Sequence, residues 1–254
     1  MAWKPPQITL QRTFVTNKKA DQLEKYKQFY SDFEEGEEVA DLFRRNIEHA
    51  ATLGFSVIQI HAAHGYALSL LLSRVVSGCN MPEETKGIDL IRKIVNGLNI
   101  GETILDIRLS LYEGIEDHFS EIEYKTNLFE ALLKYGFDMI SLSNGFYNID
   151  KTMIYPLKKE KPVIFEKGEY FARKYNEVVW NVAGNMENAL MTRTDLPYNL
   201  TFSLGRQLLA DPDTVVKMKS HTYSDIQPCS ECNECHYYSF GFNSIRKCKL
   251  LRAT

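Results

Sequence analysis

The sequence predicts an α/β fold built on a parallel sheet, and three observations predict it. Short apolar runs alternate with amphipathic helical patterns from about residue 36 onward, the order that lays helices over parallel strands. Several of the runs are nearly continuous in apolar residues, as strands buried in parallel sheets are. Polar groups collect just beyond their carboxyl ends, where such folds build their sites.

The elements follow in chain order. Ile8 to Thr16 reads as a strand or a lid arm, and the charged stretch Asn17 to Glu38 as a loop, so residues 1–36 form an N-terminal arm. Glu37 to Leu53 places Val39, Leu42, Phe43, Ile47 and Ala50 on one helical face, and Gly54 ends it. A strand from Ser56 to Ile60 follows, then a helix over Ala67 to Leu72, a polar loop from Ser77 to Thr85 and a helix from Ile88 to Leu98. Thr103 to Leu109 is the second strand, Asn127 to Tyr135 a helix stopped by Gly136, and Phe137 to Leu142 the third strand. Glu169 to Lys174 is helical, Val178 to Ala183 a fourth strand, Asn188 to Arg193 a short helix, Tyr198 to Ser203 a fifth strand, and Pro212 to Lys219 a closing helix. The predicted domains are thus the arm, an α/β unit over residues 37–227, and a cysteine-rich segment over residues 228–254.

Composition narrows the function. With 254 residues, 44% of them hydrophobic and 12% aromatic, the chain buries a full core. Thirty basic residues against 33 acidic give a net charge of -3, which offers no electrostatic basis for binding nucleic acid or an anionic membrane. Met1-Ala2-Trp3-Lys4-Pro5-Pro6 has no apolar signal core, and no run approaches the ~20 apolar residues that span a bilayer, so a cytoplasmic location is expected.

The most informative stretch is Ile58-Gln59-Ile60-His61-Ala62-Ala63-His64-Gly65-Tyr66, where an apolar run ends in two imidazoles and a phenol around a glycine. A lone histidine at a strand end is best read as a packed core residue. Three such groups at one strand end point to chemistry: His61 and His64 can hydrogen-bond an anionic or carbonyl oxygen, and Tyr66 can donate a proton. This pattern resembles the Old Yellow Enzyme family of FMN-dependent TIM-barrel reductases, whose fourth strand ends in His-x-x-His/Asn-Gly-Tyr. The resemblance implies that His61 and His64 bind the substrate's oxygen and that Tyr66 protonates the substrate.

Further strand ends agree with it. Ile107-Arg108-Leu109-Ser110 puts a guanidinium where the family arginine lies against the flavin, although a strand-end arginine is equally compatible with a structural ion pair. Ala183-Gly184-Asn185 and Leu204-Gly205-Arg206 fall where the family binds the FMN phosphate, which assigns that role to Gly184, Asn185, Gly205 and Arg206. The run Gly205-Arg206-Gln207-Leu208-Leu209-Ala210-Asp211-Pro212-Asp213 resembles the family's ending. The implied fold is a partial TIM barrel of about five βα units, corresponding to strands four to eight.

The chain also departs from the family. Only 55 residues precede Ser56, and three βα units do not fit there when one βαβ unit takes roughly 30 residues. The loop Ser77-Gly78-Cys79-Asn80-Met81-Pro82-Glu83-Glu84-Thr85 is shorter than the family's Gly-Gly-Ser segment. An open sheet exposes two edges. A protein partner supplying the missing strands is therefore expected, with a homo-oligomer as the alternative.

Cys229, Cys232, Cys235 and Cys248 cluster at the carboxyl end, with Cys79 apart. Three cysteines at successive x2 spacings with a distant fourth are closer to iron–sulfur ligation than to two zinc knuckles, with zinc, His236 replacing a cysteine, as the alternative. Pro228-Cys229-Ser230-Glu231-Cys232-Asn233 resembles the [4Fe–4S] segment of the 2,4-dienoyl-CoA reductase and trimethylamine dehydrogenase branch. Together these readings predict a subunit of an FMN- and [4Fe–4S]-dependent oxidoreductase that acts on a small unsaturated or amine substrate and takes electrons from a separate donor. The competing reading is a non-catalytic, metal-stabilised scaffold that has lost flavin.

Overall fold

A computed structural model describes residues 19–34, 36–147, 149, 163–184, 195–232 and 235. Its centre is a five-stranded sheet of β1 (Val57–Ala62), β2 (Ile104–Tyr112), β3 (Met139–Asn144), β4 (Val179–Ala183) and β5 (Leu200–Ser203). All neighbours pair in parallel, and the spatial order is the chain order. That progression is the one a βα barrel follows, whereas a doubly wound sheet reverses its strand order. The α/β prediction is met, and the sheet is that of a partial barrel.

The strands do not read as uniformly buried. Ile60, Ala62, Leu105, Ile107, Leu109, Ile140, Leu142, Trp180 and Val182 form one buried face, packed under helices that include α2 (Glu37–Thr52), α5 (Lys86–Val95), α6 (His118–Leu133) and α7 (Val163–Lys174). Phe129, Phe171 and Trp180 meet there with ring centroids 5.0–5.7 Å apart, in the edge and offset arrangements aromatic rings prefer. The alternate residues, from Gln59 and His61 across to Asn181 and Ser203, are polar and face the concave side. Alternation therefore replaces the continuous apolar runs expected of a parallel sheet.

One expectation is overturned. The stretch Asn17 to Glu38 is not a loop: Lys19–Asp32 is a helix, α1. Its sequence is rich in good helix formers, and Leu23, Tyr26, Phe29 and Tyr30 form a short apolar face among charged residues. Tertiary contacts fix it. Tyr26 is buried edge-on against Phe146, with centroids 6.1 Å apart, and Lys86 Nζ donates to the carbonyls of Tyr30 and Phe33 at 2.7 and 2.8 Å, satisfying the exposed helix end.

Other boundaries shift for identifiable reasons. α6 begins nine residues before Asn127, because Asp117 caps it by accepting the Phe119 and Ser120 N–H groups at 3.0 and 3.1 Å. Thr85 caps α5 through the Ile88 N–H. The helix expected over Ala67 to Leu72 is α3 (Ala67–Leu71), followed by a further short helix α4 (Arg74–Ser77); a short α8 (Arg206–Ala210) precedes α9 (Thr214–Lys219), the closing helix expected over Pro212 to Lys219. The arm strand Ile8 to Thr16 and the helix Asn188 to Arg193 lie outside the described residues. No helix among the described residues is long and apolar enough to cross a membrane.

Candidate active site

β1 delivers His61 beside Arg108 of β2, its partner in the strand register. Beyond Ala62 the chain turns through two left-handed residues, His64 at φ 64° and Gly65 at φ 75°. Glycine takes that conformation freely; a histidine does so only where its surroundings hold it. Here the His64 N–H donates to Ser110 Oγ at 2.9 Å, the Ser110 hydroxyl donates to the Gly145 carbonyl at 3.0 Å, and the His64 carbonyl accepts from the Tyr147 N–H at 3.1 Å. The turn is thus fastened to the ends of β2 and β3.

This turn brings three predicted groups together. The His61 ring lies 5.1 Å from that of His64 and 5.2 Å from that of Tyr66, the latter edge-on at 86°. Tyr66 itself is 43% exposed. His64 Nε2 is 2.7 Å from Ser143 Oγ, which also accepts from Arg108 Nη2 at 3.1 Å. Ser143, which the sequence reading missed, therefore links the imidazole to the guanidinium. Its only sequence signal was a polar alternation in Ser141-Leu142-Ser143.

Burial and nearby charge disfavour protonation of both histidines. Burial, reinforced by the Arg108 charge, lowers the pKa of His61, and the same causes together with His61 bring His64 from 6.5 down to about 3. A neutral imidazole keeps one donor and one acceptor. His61 Nδ1 faces the Ala63 N–H at 3.5 Å, which leaves the ring proton on Nε2. Because folded His64 resists a proton that the unfolded chain takes up near pH 6.5, stability falls as pH drops from about 6.5 toward about 3. Urea midpoints measured across that window should decline, and less so in His64→Gln; parallel declines would show that another group carries the effect.

The predicted phosphate residues are partly placed. Ala183 pairs with Ser203, so Gly184 and Gly205 follow adjacent strand ends. Gly184 has φ 124°, and a Cβ added at either glycine meets none of the described residues within 4 Å. Arg206 opens α8 beside them, and Asn185 lies outside the described residues.

The cysteine segment is tied to α8 and α9 through Gln207, whose Oε1 accepts the Cys229 N–H at 3.0 Å and whose Nε2 donates to Thr214 Oγ1 at 2.9 Å. Cys232 is exposed, and Cys229 and Cys235 are half-buried. Among the described residues no three His, Cys, Asp or Glu side chains gather as a metal-ligand set. Cys248 and His236 lie outside the described residues.

No protein-family model matches the chain. It is 30% identical over 127 residues to an NADH:flavin oxidoreductase of Gibberella zeae, an alignment covering 44% of this chain and 31% of that protein. Its fold matches 6-hydroxypseudooxynicotine amine oxidase from Pseudomonas geniculata with a TM-score of 0.59 at 17% identity, over 78% of this chain and 30% of the oxidase. It also matches 2-naphthoyl-CoA reductase, in complex with 2-naphthoyl-CoA, with a TM-score of 0.58 at 14% identity, over 85% of this chain and 32% of the reductase. The chain spans about a third of the length of each. It is thus similar in sequence to part of an NADH:flavin oxidoreductase, and in fold to part of two larger redox enzymes.

Proposed function

We propose that this chain is the catalytic part of a cytoplasmic FMN-dependent oxidoreductase acting on a small unsaturated or amine substrate. The observation that carries this reading is the rim of the sheet, where two neutral imidazoles, a phenol and a guanidinium stand together at the carboxyl ends of β1 and β2. The partial sequence likeness to an NADH:flavin oxidoreductase supports the same class.

The residues present fit FMN. Among the described residues Arg108 Nε is buried without a hydrogen-bond partner, a donor suited to a ring acceptor, and none of them crowds a Cβ position at Gly184 or Gly205, which suits a phosphate. FMN bound there would supply hydride or electron transfer. In this arrangement His61 and His64 hold a substrate oxygen and polarise its bond, and Tyr66 delivers a proton from the solvent side. Arg108 places positive charge beside the ring, while Gly184, Asn185, Gly205 and Arg206 hold the phosphate. Titration with FMN tests the reading, with any partner protein present. Arg206→Ala should weaken binding by about 1.5–3 kcal/mol, the worth of a hydrogen bond to a charged group; a wild type with no affinity for FMN sinks the reading.

The four-cysteine spacing supports a [4Fe–4S] cluster as a second redox group, with zinc as the alternative. The described cysteines do not form a ligand set, and no step of the chemistry is drawn through a metal. Iron and sulfide analysis after anaerobic purification should find about four of each per chain, whereas stoichiometric zinc without sulfide would exclude the cluster. A separate electron donor is part of this proposal.

Among the described residues β1 and β5 each pair along one edge alone, and Leu53 and Phe55, just before β1, and Val57, its first residue, are exposed. Unpaired strand edges with apolar neighbours invite association. We read this as the place where further barrel strands dock, contributed by a second polypeptide. Light scattering that found a stable monomer at micromolar concentration would count against it.

A further inference from the structure

Asp106 is a buried carboxyl that the proposed chemistry leaves unused. It sits on the concave face of β2, opposite Gln59 in the register and two residues before Arg108. It is only 2% exposed. Its Oδ2 accepts from Gln59 Nε2 and from the Ser141 hydroxyl, the latter at 2.7 Å, and Asn181 Nδ2 steadies Ser141 from the far side at 3.1 Å. Among the described residues its Oδ1 has no hydrogen-bond partner, and neither has Arg108 Nε.

Side chains two residues apart on one strand face stand about 6.5–7 Å from each other. Among the described residues no ion pair joins Asp106 to Arg108, yet at that spacing in a low-dielectric interior their charges act on each other strongly. Burial pushes the Asp106 carboxyl up, against its hydrogen bonds from Gln59 and Ser141 and the charge of Arg108; desolvation pulls Arg108 down, against Asp106.

We propose that Asp106 is a specificity-determining residue, the buried counter-charge that cancels Arg108 and tunes the rim to neutral polar ligands over anions. The proposal rests on the functional reading above only in taking the rim as a ligand site. The charge that a ligand meets at the rim is then set by the Arg108 guanidinium together with the Asp106 carboxyl two residues before it on the same strand face. A neutral carbonyl or amide entering such a site leaves that balance intact. An anion meets the carboxylate's repulsion along with the guanidinium's attraction, and loses its hydration without a net return. Remove the carboxylate, and the guanidinium is left uncompensated for an anion to neutralise.

Benzamide and benzoate have nearly the same shape and differ in charge. Both would be titrated by calorimetry into the full-length wild type and Asp106→Asn. The variant should bind benzoate about tenfold tighter, less so as salt rises, with benzamide affinity within about twofold of wild type. A benzoate-to-benzamide ratio unchanged by the substitution overturns the proposal. Should Asp106→Asn fail to fold, the double variant Asp106→Asn/Arg108→Gln removes the stranded cation as well; recovery of the fold and of the wild-type ratio supports the proposal, and failure to recover overturns it. Binding of neither ligand by any of the proteins also overturns it, since the rim would then hold no ligand. FMN titration judges the oxidoreductase reading separately: FMN binding with an unchanged ratio defeats only this inference, and a shifted ratio without FMN binding defeats only that reading.

Discussion

Tyr66→Phe is expected to slow substrate turnover by ~10²–10⁴, the usual worth of a positioned proton donor. The phenol caps the rim from the solvent side, its ring edge-on to His61 at 5.2 Å and 43% exposed. Phenylalanine keeps that ring contact and removes the O–H alone, so folding, FMN affinity and reduction by the electron donor should be unaffected. Stopped-flow measurement separates the two half-reactions: the reductive half should be unchanged and the substrate half slowed. Equal turnover in the two proteins would place the proton donor elsewhere, and loss of FMN from the variant would make the tyrosine structural.

The largest effect on stability is expected at the buried pair behind the loop that follows β2. Lys125 Nζ meets Glu113 Oε1, with both side chains about 5% exposed or less, and the Ser73 hydroxyl donates to the other oxygen. Burial raises the Glu113 pKa, while Lys125 and the Ser73 hydrogen bond draw it back. Lys125→Met strands the carboxylate and should cost about 3–5 kcal/mol in urea denaturation at neutral pH. The sign with pH follows from the raised pKa: as pH falls the stranded carboxylate protonates, and the deficit shrinks. Glu113→Leu with Lys125→Met removes both charges and should regain most of the loss. A single variant within ~1 kcal/mol of wild type would show that water reaches the pair.

This pair matters because of what the loop carries. The Glu121 carboxylate accepts four backbone N–H groups, from Glu113, Gly114, Ile115 and Glu116, at 2.8–3.2 Å. Arg74 of α4 pairs with Glu116 from the other side. The strand that presents Arg108 and Ser110 to the rim thus runs into a fixed loop, and the rim inherits that rigidity.

Much of the fold was legible in the sequence, because its signals are local. Five apolar runs mark the five strands within a few residues, and Gly54 and Gly136 mark helix ends. His61, His64 and Tyr66 announce a site because they crowd one strand end, and Arg108 falls beside His61 once the strands pair in order. The cysteine spacing is equally local, and it stays an expectation because ligation needs a geometry that the described cysteines do not show.

The tertiary structure alone decided the rest. Helix α1 has only a short apolar face among charged residues, and its Tyr26 is anchored by Phe146, 120 residues away. Ser143, Ser110 and Asp106 are unremarkable in sequence; each gains its role from a neighbour on another strand, which only the register brings within reach. The neutrality of His64 likewise has no sequence signature, since it arises from burial and from the Arg108 charge across the sheet. Periodicity and turn residues are written along the chain, so the sequence determined the strands and the motif at their ends. Burial, cross-strand hydrogen bonds and electrostatic coupling exist only between residues that folding brings together, and they decided the protonation, orientation and charge balance of the site.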